Sequence, residues 1–244
     1  MKVAIMQPYF FPYAGYFRLF AAADLFVVLD CVQFPRRGWV HRNQLTDHSG
    51  QKQWLTLPLQ KADRDSTRIC DLRFPEDALE SLETQFRKFP AIGEVRKNRP
   101  DLYAALTHLT QSPTEYLCET LAWQTAVLGI SRPMLRSSTL PIDPRLRAQD
   151  RIIAIAKHVG ATDYINAPGG RELYEGSGFD AAGLALHFLS GYEGSFDSML
   201  ARLAREESAL IAAEIQRNTR LERATTAVAA SGAPVAAGTG QGTK

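Results

Sequence analysis

The sequence predicts an α/β fold, with a mostly parallel sheet flanked by helices, a helical insertion and a C-terminal helix. Two short apolar runs, residues 3–6 and 25–29, lie on either side of a segment, 16–23, with the length and alanine content of a short helix. Such runs, rich in Val, Ile and Leu, are typical of parallel strands buried on both faces. The order helix, strand, helix, strand recurs between residues 121 and 170, which again favours parallel pairing.

The first half of the chain predicts strands and then helices. Residues 53–59 predict a third strand, preceded by a turn at 43–52, and residues 69–74 predict another short strand. Apolar residues then recur at spacings of three and four, which predicts a helix over 76–89 that ends at Pro90; they are Leu79, Leu82, Phe86 and Phe89. Two further helices, 100–109 and 113–128, each begin at a proline, and Gly129 is the expected cap of the second.

The second half predicts alternating strands and helices. The expected elements are a strand and polar turn at 130–140, a helix at 147–159 closed by Gly160, strands at 164–166 and 184–189, and a helix at 196–223. The apolar face of that last helix should comprise Leu200, Leu203, Leu210, Ile211 and Ile215. We therefore expect one α/β domain over 1–223 with a helical insertion near 76–128. The composition of residues 224–244 predicts a disordered tail.

Composition narrows the class of protein. The 244 residues are 45% hydrophobic and carry a net charge of +2, which gives no electrostatic reason to expect a nucleic-acid or membrane partner. No apolar run approaches the roughly 20 residues of a membrane helix, and no signal peptide opens the chain. Three widely spaced cysteines predict neither a disulfide framework nor a metal site. We expect a reduced, cytoplasmic protein.

Parallel sheets bind ligands beyond the carboxyl ends of their strands. Segments 7–15 and 30–43 follow the first two strands, so they should lie side by side at one edge. The first segment concentrates aromatic rings between two prolines and a glycine, which indicates either core packing of some of these rings or a binding wall. The predicted substrate-binding residues after the first strand are Gln7, Tyr9, Tyr13 and Tyr16. Those that follow later strands are Ser137, Ser138, Gly169 and Gly170.

The second segment carries a candidate catalytic group. Cys31 directly follows the second strand, and His41 lies on the same loop, so the imidazole is a candidate base for a thiolate nucleophile. Asn43 or Asp30 would orient the ring. Two alternatives stay open, because a free cysteine also behaves as a small buried hydrophobe and Asp30 is itself a candidate base or turn cap.

Arginines cluster beside these groups. Arg36, Arg37 and Arg42, with Arg136 and Arg147 as further candidates, have the bidentate geometry that suits a phosphate, a carboxylate or a carrier phosphopantetheine. The alternative is that these side chains are solvated loop residues.

Four motifs, QPYFFPYAGYF, VQFPRRGWVHRN, SST and YINAPGG, together with the strand ending at Asp30, resemble the WbqC-like protein family. The resemblance implies a cytoplasmic protein encoded among genes for surface-polysaccharide or specialised-metabolite assembly. The position after Asp30 is commonly acidic in the family, whereas Cys31 stands here. The opening unit is also similar in layout to nucleotidyltransferases that bind ATP with a HIGH-type loop, although it lacks their histidine pair.

The sequence therefore favours a transferase that moves an acyl or aminoacyl group to an amine on a sugar or metabolite through a Cys31 thioester. In this scheme Gln7 or a backbone amide steadies the oxyanion, and the arginines hold the donor. No cofactor is expected, and a carrier protein is a candidate partner. The alternatives are a nucleotide-dependent transferase that uses ATP or another nucleotide, and a non-catalytic partner of a biosynthetic enzyme or carrier protein.

Overall fold

The computed structural model describes residues 1–35, 37–61, 63, 66–110 and 112–224. Its strands are β1 Lys2–Met6, β2 Leu25–Val28, β3 Arg42–Thr46, β4 Lys52–Thr56, β5 Met134–Arg136, β6 Asp163–Asn166, β7 Ala185–Leu189 and β8 Leu221–Arg223. Within these residues six strands form one sheet in the order β5-β2-β1-β6-β7-β8, and β3 pairs with β4 in a separate hairpin. Every neighbouring pair of the large sheet is parallel except β7 and β8. The predicted α/β class is confirmed.

Helices cover both faces of the sheet and extend beyond it. Their bounds are α1 Arg18–Ala22, α2 Ala78–Phe86, α3 Pro90–Asn98, α4 Pro100–Thr107, α5 Pro113–Val127, α6 Ala148–His158, α7 Gly176–Ala181, α8 Met199–Leu203 and α9 Ser208–Asn218. Gly129 and Gly160 have φ values of +66° and +71°, so each adopts the left-handed conformation that closes the preceding helix, as predicted.

The opening β1-α1-β2 unit forms because its two apolar runs need burial on both faces. Val3 pairs with Leu25 and Met6 with Val28, in parallel register as predicted. A 3-10 turn, Ala14–Phe17, leads directly into α1. This unit places the ends of β1 and β2 at the same edge of the sheet.

Alternation along the strands divides the core into two layers. On one face, Ala4, Phe26 and Val28 belong to the larger cluster, which also includes side chains from α1, α5, α8 and α9. On the other face, Val3, Ile5 and Val27 pack with the apolar sides of α6 and α7. Each layer buries one side of the sheet, and the carboxyl ends of the strands remain open to loops.

Three predictions in the first half of the chain are wrong. Residues 43–52, expected as a turn, begin with β3, because Gln44 and Leu45 pair with β4 across a tight turn at Gly50. Residues 69–74 form a 3-10 turn at Ile69–Asp71 rather than a strand, since their backbone bonds go to the loop after β2. The predicted helix 76–89 forms as α2 but ends at Phe86, so Pro90 does not end it and instead opens the next helix, α3, where its missing N–H costs nothing.

The predicted helix 196–223 is also wrong in extent. It breaks between α8 and α9, and its last residues form β8, which pairs antiparallel with the free edge of β7. A break restarts the helical phase, so Leu210 is 65% exposed although Ile211 and Ile215 are buried. Ala224 continues the pairing through an N–H bond to Leu186 O of 2.9 Å. The rest of the predicted tail lies outside the described residues.

The strand order determines where a ligand site is expected. In chain order the five parallel strands read 3-2-1-4-5, which is the doubly wound order. The connection from β1 runs to β2 on one side, whereas β6 and β7 lie on the other side. Ligands of such sheets bind where the order reverses, so the loops after β1 and β6 flank the expected crevice.

Candidate functional site

Two cavities open at the carboxyl edge of the sheet. The first, which we call the thiol cavity, has a volume of about 450 Å³ and lies beyond β2 and the N-terminus of α6. Its lining includes Cys31, Arg68, Arg147, Arg151 and Tyr174. One thiol therefore shares a small cavity with three guanidinium groups.

The thiol of Cys31 is in contact with one of these arginines. Arg151 Nη1 donates a hydrogen bond to Cys31 Sγ at 3.0 Å, and its other nitrogens bond to the carbonyls of Leu146 and Pro144. Those carbonyl bonds hold the guanidinium plane against the sulfur. A guanidinium in hydrogen-bond contact favours negative charge on its acceptor.

The other two cysteines lie in different environments. Burial, reinforced by Asp71, raises the pKa of Cys70 to about 11. Burial likewise raises the pKa of Cys118 to about 12. Both thiols are therefore protonated near neutral pH. Of the three cysteines, Cys31 is the one whose sulfur accepts a hydrogen bond from an arginine.

Asp30, the predicted base, is the centre of a buried clamp. Its carboxylate is 0% exposed and accepts four hydrogen bonds, from Arg136 Nε (2.8 Å), Ser137 Oγ (3.0 Å), and the backbone N–H (2.8 Å) and Oγ (2.7 Å) of Ser138. Ser137 Oγ in turn accepts from the N–H groups of Asp30 and Cys31. This network ties the end of β2 to the turn after β5 and fixes the backbone that carries Cys31.

His41 is not brought to the thiol. Among the described residues no hydrogen bond joins it to Cys31, and its buried Nδ1 has no hydrogen-bond partner. Its ring packs edge-on against Phe34, with 4.9 Å between the ring centres. Asn43 is also engaged elsewhere, since its Nδ2 donates to the carbonyls of Phe10 and Phe11. The predicted Cys-His-Asn arrangement is therefore not assembled in this conformation.

The buried imidazole predicts a pH-dependent stability. Burial, with a further contribution from Arg42, lowers the pKa of His41 from 6.5 to about 4. The unfolded chain then binds more protons than the folded one between pH 6.5 and 4, so stability falls as the pH falls through this window. Through His41, the wild type should lose about 2 kcal/mol of unfolding free energy between pH 7 and pH 5, and His41→Met should not show this loss. Urea titration at the two pH values measures it.

A matched control is His158→Gln, at an exposed position on α6. This variant should keep the wild-type pH dependence. An equal pH dependence in His41→Met and wild type would contradict the depressed pKa of His41.

The second cavity, which we call the aromatic cavity, lies at the reversal of strand order. It has a volume of about 500 Å³ and is lined by the loops after β1, β6 and β7. Its aromatic lining consists of Tyr9, Tyr13, Tyr16, Trp39, Tyr192 and Phe196. The predicted aromatic wall thus forms, and rings from two distant segments join it.

Local features hold this wall in place. A Cβ on Gly15 would lie 2.2 Å from the ring of Tyr13, so only glycine allows that ring to rest on the backbone. Phe11 has φ +44°, and its carbonyl accepts from Asn43 Nδ2 (2.7 Å) and Ser198 Oγ (2.9 Å). Strained residues persist where the surroundings over-determine them, and these bonds supply that constraint.

Several predicted binding residues have other roles. Ser137 and Ser138 bind Asp30 rather than an external group, Gly170 packs against Asn166, and Gly169 lines the aromatic cavity. The backbone carbonyl of Gln7 accepts a hydrogen bond from the Tyr16 hydroxyl.

The described arginines of the 30–43 segment, Arg37 and Arg42, are not among the lining residues of either cavity. The guanidinium carbon of Arg42 lies 4.0 Å from the centre of the Trp54 ring, and its Nε donates a hydrogen bond to Gly38 O. Arg37 is exposed, and Arg36 lies outside the described residues.

Sequence reasoning missed Arg151 and Arg18. Arg151 follows Arg147 by four residues, so the two lie on one helical face, which is a detectable signal. Arg18 is the one charged residue in an otherwise apolar stretch, 14–23, and such a residue is buried with partners or functional. Tyr192 and Phe196 carry no local signal, because only the fold brings them to the β1 loop.

The described residues hold no group of three or more His, Cys, Asp or Glu arranged to hold a metal ion. In the same part of the chain, no helix combines the length and the apolar character that crossing a membrane requires.

Comparison with known proteins identifies the family of the chain. The chain is 25% identical over 206 residues to the uncharacterized protein Rv1507c of Mycobacterium tuberculosis, covering 80% of this chain and 84% of the relative. No solved structure matches the sequence. The family model described as the WbqC-like protein family matches residues 7–197. This range includes the loops after β1 and β2 and most of the other residues that line the two cavities. The chain therefore belongs to the WbqC-like protein family.

Proposed function

We propose that this protein is a transferase that carries an acyl or aminoacyl group on Cys31 and passes it to an amine on a small-molecule acceptor. The observation that carries the proposal is the 3.0 Å contact between Arg151 Nη1 and Cys31 Sγ inside the thiol cavity. Cysteine acts as a nucleophile in its thiolate form, and neighbouring arginines favour that form. The role given to His41 in the sequence-based scheme passes to Arg151, which stabilises the sulfur anion instead of removing its proton.

The surroundings of the sulfur suit an anionic donor. Arg147 and Ala148 at the start of α6 line the cavity, and the first turn of a helix attracts anions through its free N–H groups. Arg147 forms no ion pair with a described carboxylate; its Nη1 donates to the carbonyls of Pro144 and Leu146. A phosphopantetheine thioester, on coenzyme A or on a carrier protein, presents both a phosphate and a reactive carbonyl.

The proposed chemistry has two balanced steps. The Cys31 thiolate attacks the donor carbonyl, a new carbon–sulfur bond forms, and the donor thiol leaves with the proton that Cys31 gave up. The acceptor amine then attacks the enzyme thioester; a carbon–nitrogen bond forms, the carbon–sulfur bond breaks, and the amine proton returns to the sulfur.

Intact-mass spectrometry tests the first step. After incubation with acetyl-, glycyl- and malonyl-phosphopantetheine thioesters at pH 7.5, we expect an adduct of acyl mass on the wild type that hydroxylamine removes. Cys118→Ser should form the same adduct, and Arg147→Met should form it more slowly. Formation of the adduct in Cys31→Ser, or its absence from the wild type with every donor, would contradict the proposal.

A nucleotide-dependent transferase is the second candidate. The strand order favours it, because doubly wound sheets of this order bind nucleotides at the reversal point. Thermal shift with ATP and nucleotide sugars separates the two, since a nucleotide enzyme should be stabilised by these ligands and should keep its activity in Cys31→Ser.

A further inference from the structure

One charged side chain beside the aromatic cavity lacks an ionic partner. Arg18 on α1 is 1% exposed, and its Nε is buried without a hydrogen-bond acceptor. Its Nη2 donates to Ser190 O at 2.8 Å and Oγ at 3.3 Å. No described carboxylate pairs with it. A buried guanidinium is costly unless an anion compensates it, so this position favours a ligand that brings negative charge.

Arg18 is not itself a lining residue, and its guanidinium lies behind lining residues of the aromatic cavity. Its guanidinium carbon is 5.6 Å from the centre of the Tyr192 ring, and Leu19 and Gly191, neighbours of Arg18 and Ser190 in sequence, line the cavity. The carboxylate of Glu214, which accepts from the Tyr192 hydroxyl, is already bound by both Nη atoms of Arg202. The local network therefore leaves the charge of Arg18 uncompensated.

The open side of the cavity presents aromatic faces. Phe196 is 69% exposed and Trp39 is 42% exposed, although both rings line the cavity. Phe196 stacks on Tyr13 at 5.1 Å, so the rim is a layered aromatic surface. Such surfaces bind the faces of rings, and a cavity of about 500 Å³ lies within the range of small-molecule sites.

From these observations we infer that the aromatic cavity is a binding site for a ring-shaped small molecule with one anionic group, whose ring stacks on the rim and whose carboxylate, phosphate or sulfonate is attracted by the charge of Arg18 behind the cavity wall. This site is separate from the thiol cavity, and the two share no lining residue among those described. Binding there requires neither Cys31 nor a covalent step, so it goes beyond the proposed transfer reaction.

Two fluorescent probes test the inference. 1-Anilinonaphthalene-8-sulfonate carries aromatic rings and one sulfonate, and N-phenyl-1-naphthylamine has the same ring body without the charge. We expect one molecule of the sulfonate to bind per chain, with at least about tenfold higher affinity than the neutral probe, because the buried charge of Arg18 attracts the sulfonate. Arg18→Met should abolish that preference and leave the neutral probe's affinity unchanged, whereas Arg18→Lys should retain part of it.

Three controls define the site. Phe196→Ala changes an exposed ring, so the protein should fold and bind both probes several-fold more weakly. Arg151→Met should bind both probes as the wild type does, because its charge lies in the other cavity. Near-UV circular dichroism must show native packing in each variant, since the sulfonate also binds molten globules.

Competition identifies the kind of ring. Displacement of the sulfonate probe by glucose 1-phosphate indicates a sugar ring, and displacement by 4-hydroxybenzoate indicates an aryl ring. Equal affinity for both probes, wild-type binding in Phe196→Ala, loss of binding in Arg151→Met, or displacement by neither competitor would overturn the inference. If Arg18→Met does not fold, Arg18→Lys and Phe196→Ala carry the test.

Discussion

Replacing Cys31 by serine is expected to abolish turnover while leaving the melting temperature within experimental error. A serine hydroxyl is nearly isosteric with the thiol but remains protonated, and Arg151 cannot make it a comparable nucleophile. Cys31 is only partly buried, so the exchange removes little packing. We expect a loss of at least about a thousandfold in the rate of acyl transfer, in line with the removal of nucleophiles that act in covalent catalysis.

Alkylation measures the thiol without knowledge of the substrate. Iodoacetamide should label Cys31 before Cys70 and Cys118, whose pKa values burial raises to about 11 and 12. Arg151→Met should slow the labelling of Cys31, because the cationic donor at 3.0 Å is lost. His41→Met serves as the matched control and should label at the wild-type rate, since the ring does not contact the sulfur. Full activity in Cys31→Ser would end the thioester mechanism.

Asp30→Asn is expected to cause the largest loss of stability. The carboxylate is fully buried and accepts four hydrogen bonds, so an amide leaves the Arg136 guanidinium unmatched and sets an NH₂ group against the donors of Ser138. Removing one partner of a buried ion pair typically costs 3–5 kcal/mol. Arg136 is partly exposed, so we expect the lower end, about 3 kcal/mol, or a fall in melting temperature of roughly 6–12 °C.

An exposed pair supplies the control. Arg145 and Asp143 form a bidentate ion pair at the surface, so Asp143→Asn should leave the melting temperature nearly unchanged. Below its melting temperature, Asp30→Asn should retain Cys31 labelling. If Asp30 instead carries the chemistry, folded Asp30→Asn will lose turnover while Cys31→Ser stays active. These two variants together decide between the two interpretations of the β2 terminus.

The two cavities at one edge of the sheet can bind two different molecules. Under the proposal, the thiol cavity holds the donor through arginines and the start of α6. The aromatic cavity, at the reversal of strand order, is then available for a second molecule.

The α/β class, the parallel pairing of β1 with β2, and the position of the aromatic segment after β1 could be predicted from the sequence. These features depend on local patterns: apolar runs with strand length, a short helix between them, and glycine and proline at the turns. The same patterns failed where pairing is non-local. β8 forms only because β7 has a free edge, and Leu210 became exposed because a break between α8 and α9 restarted the helical phase.

Only the tertiary structure decided which side chains meet. Cys31 and His41 are ten residues apart on one loop, yet the hairpin β3-β4 carries the imidazole into a buried position beside Phe34. Arg151, 120 residues away, reaches the sulfur instead, because α6 packs beside the end of β2. Asp30 binds the turn after β5 through its buried carboxylate, and Arg18 is a buried cation beside the ring of Tyr192. Each of these contacts joins distant segments, and sequence spacing carries no information about them.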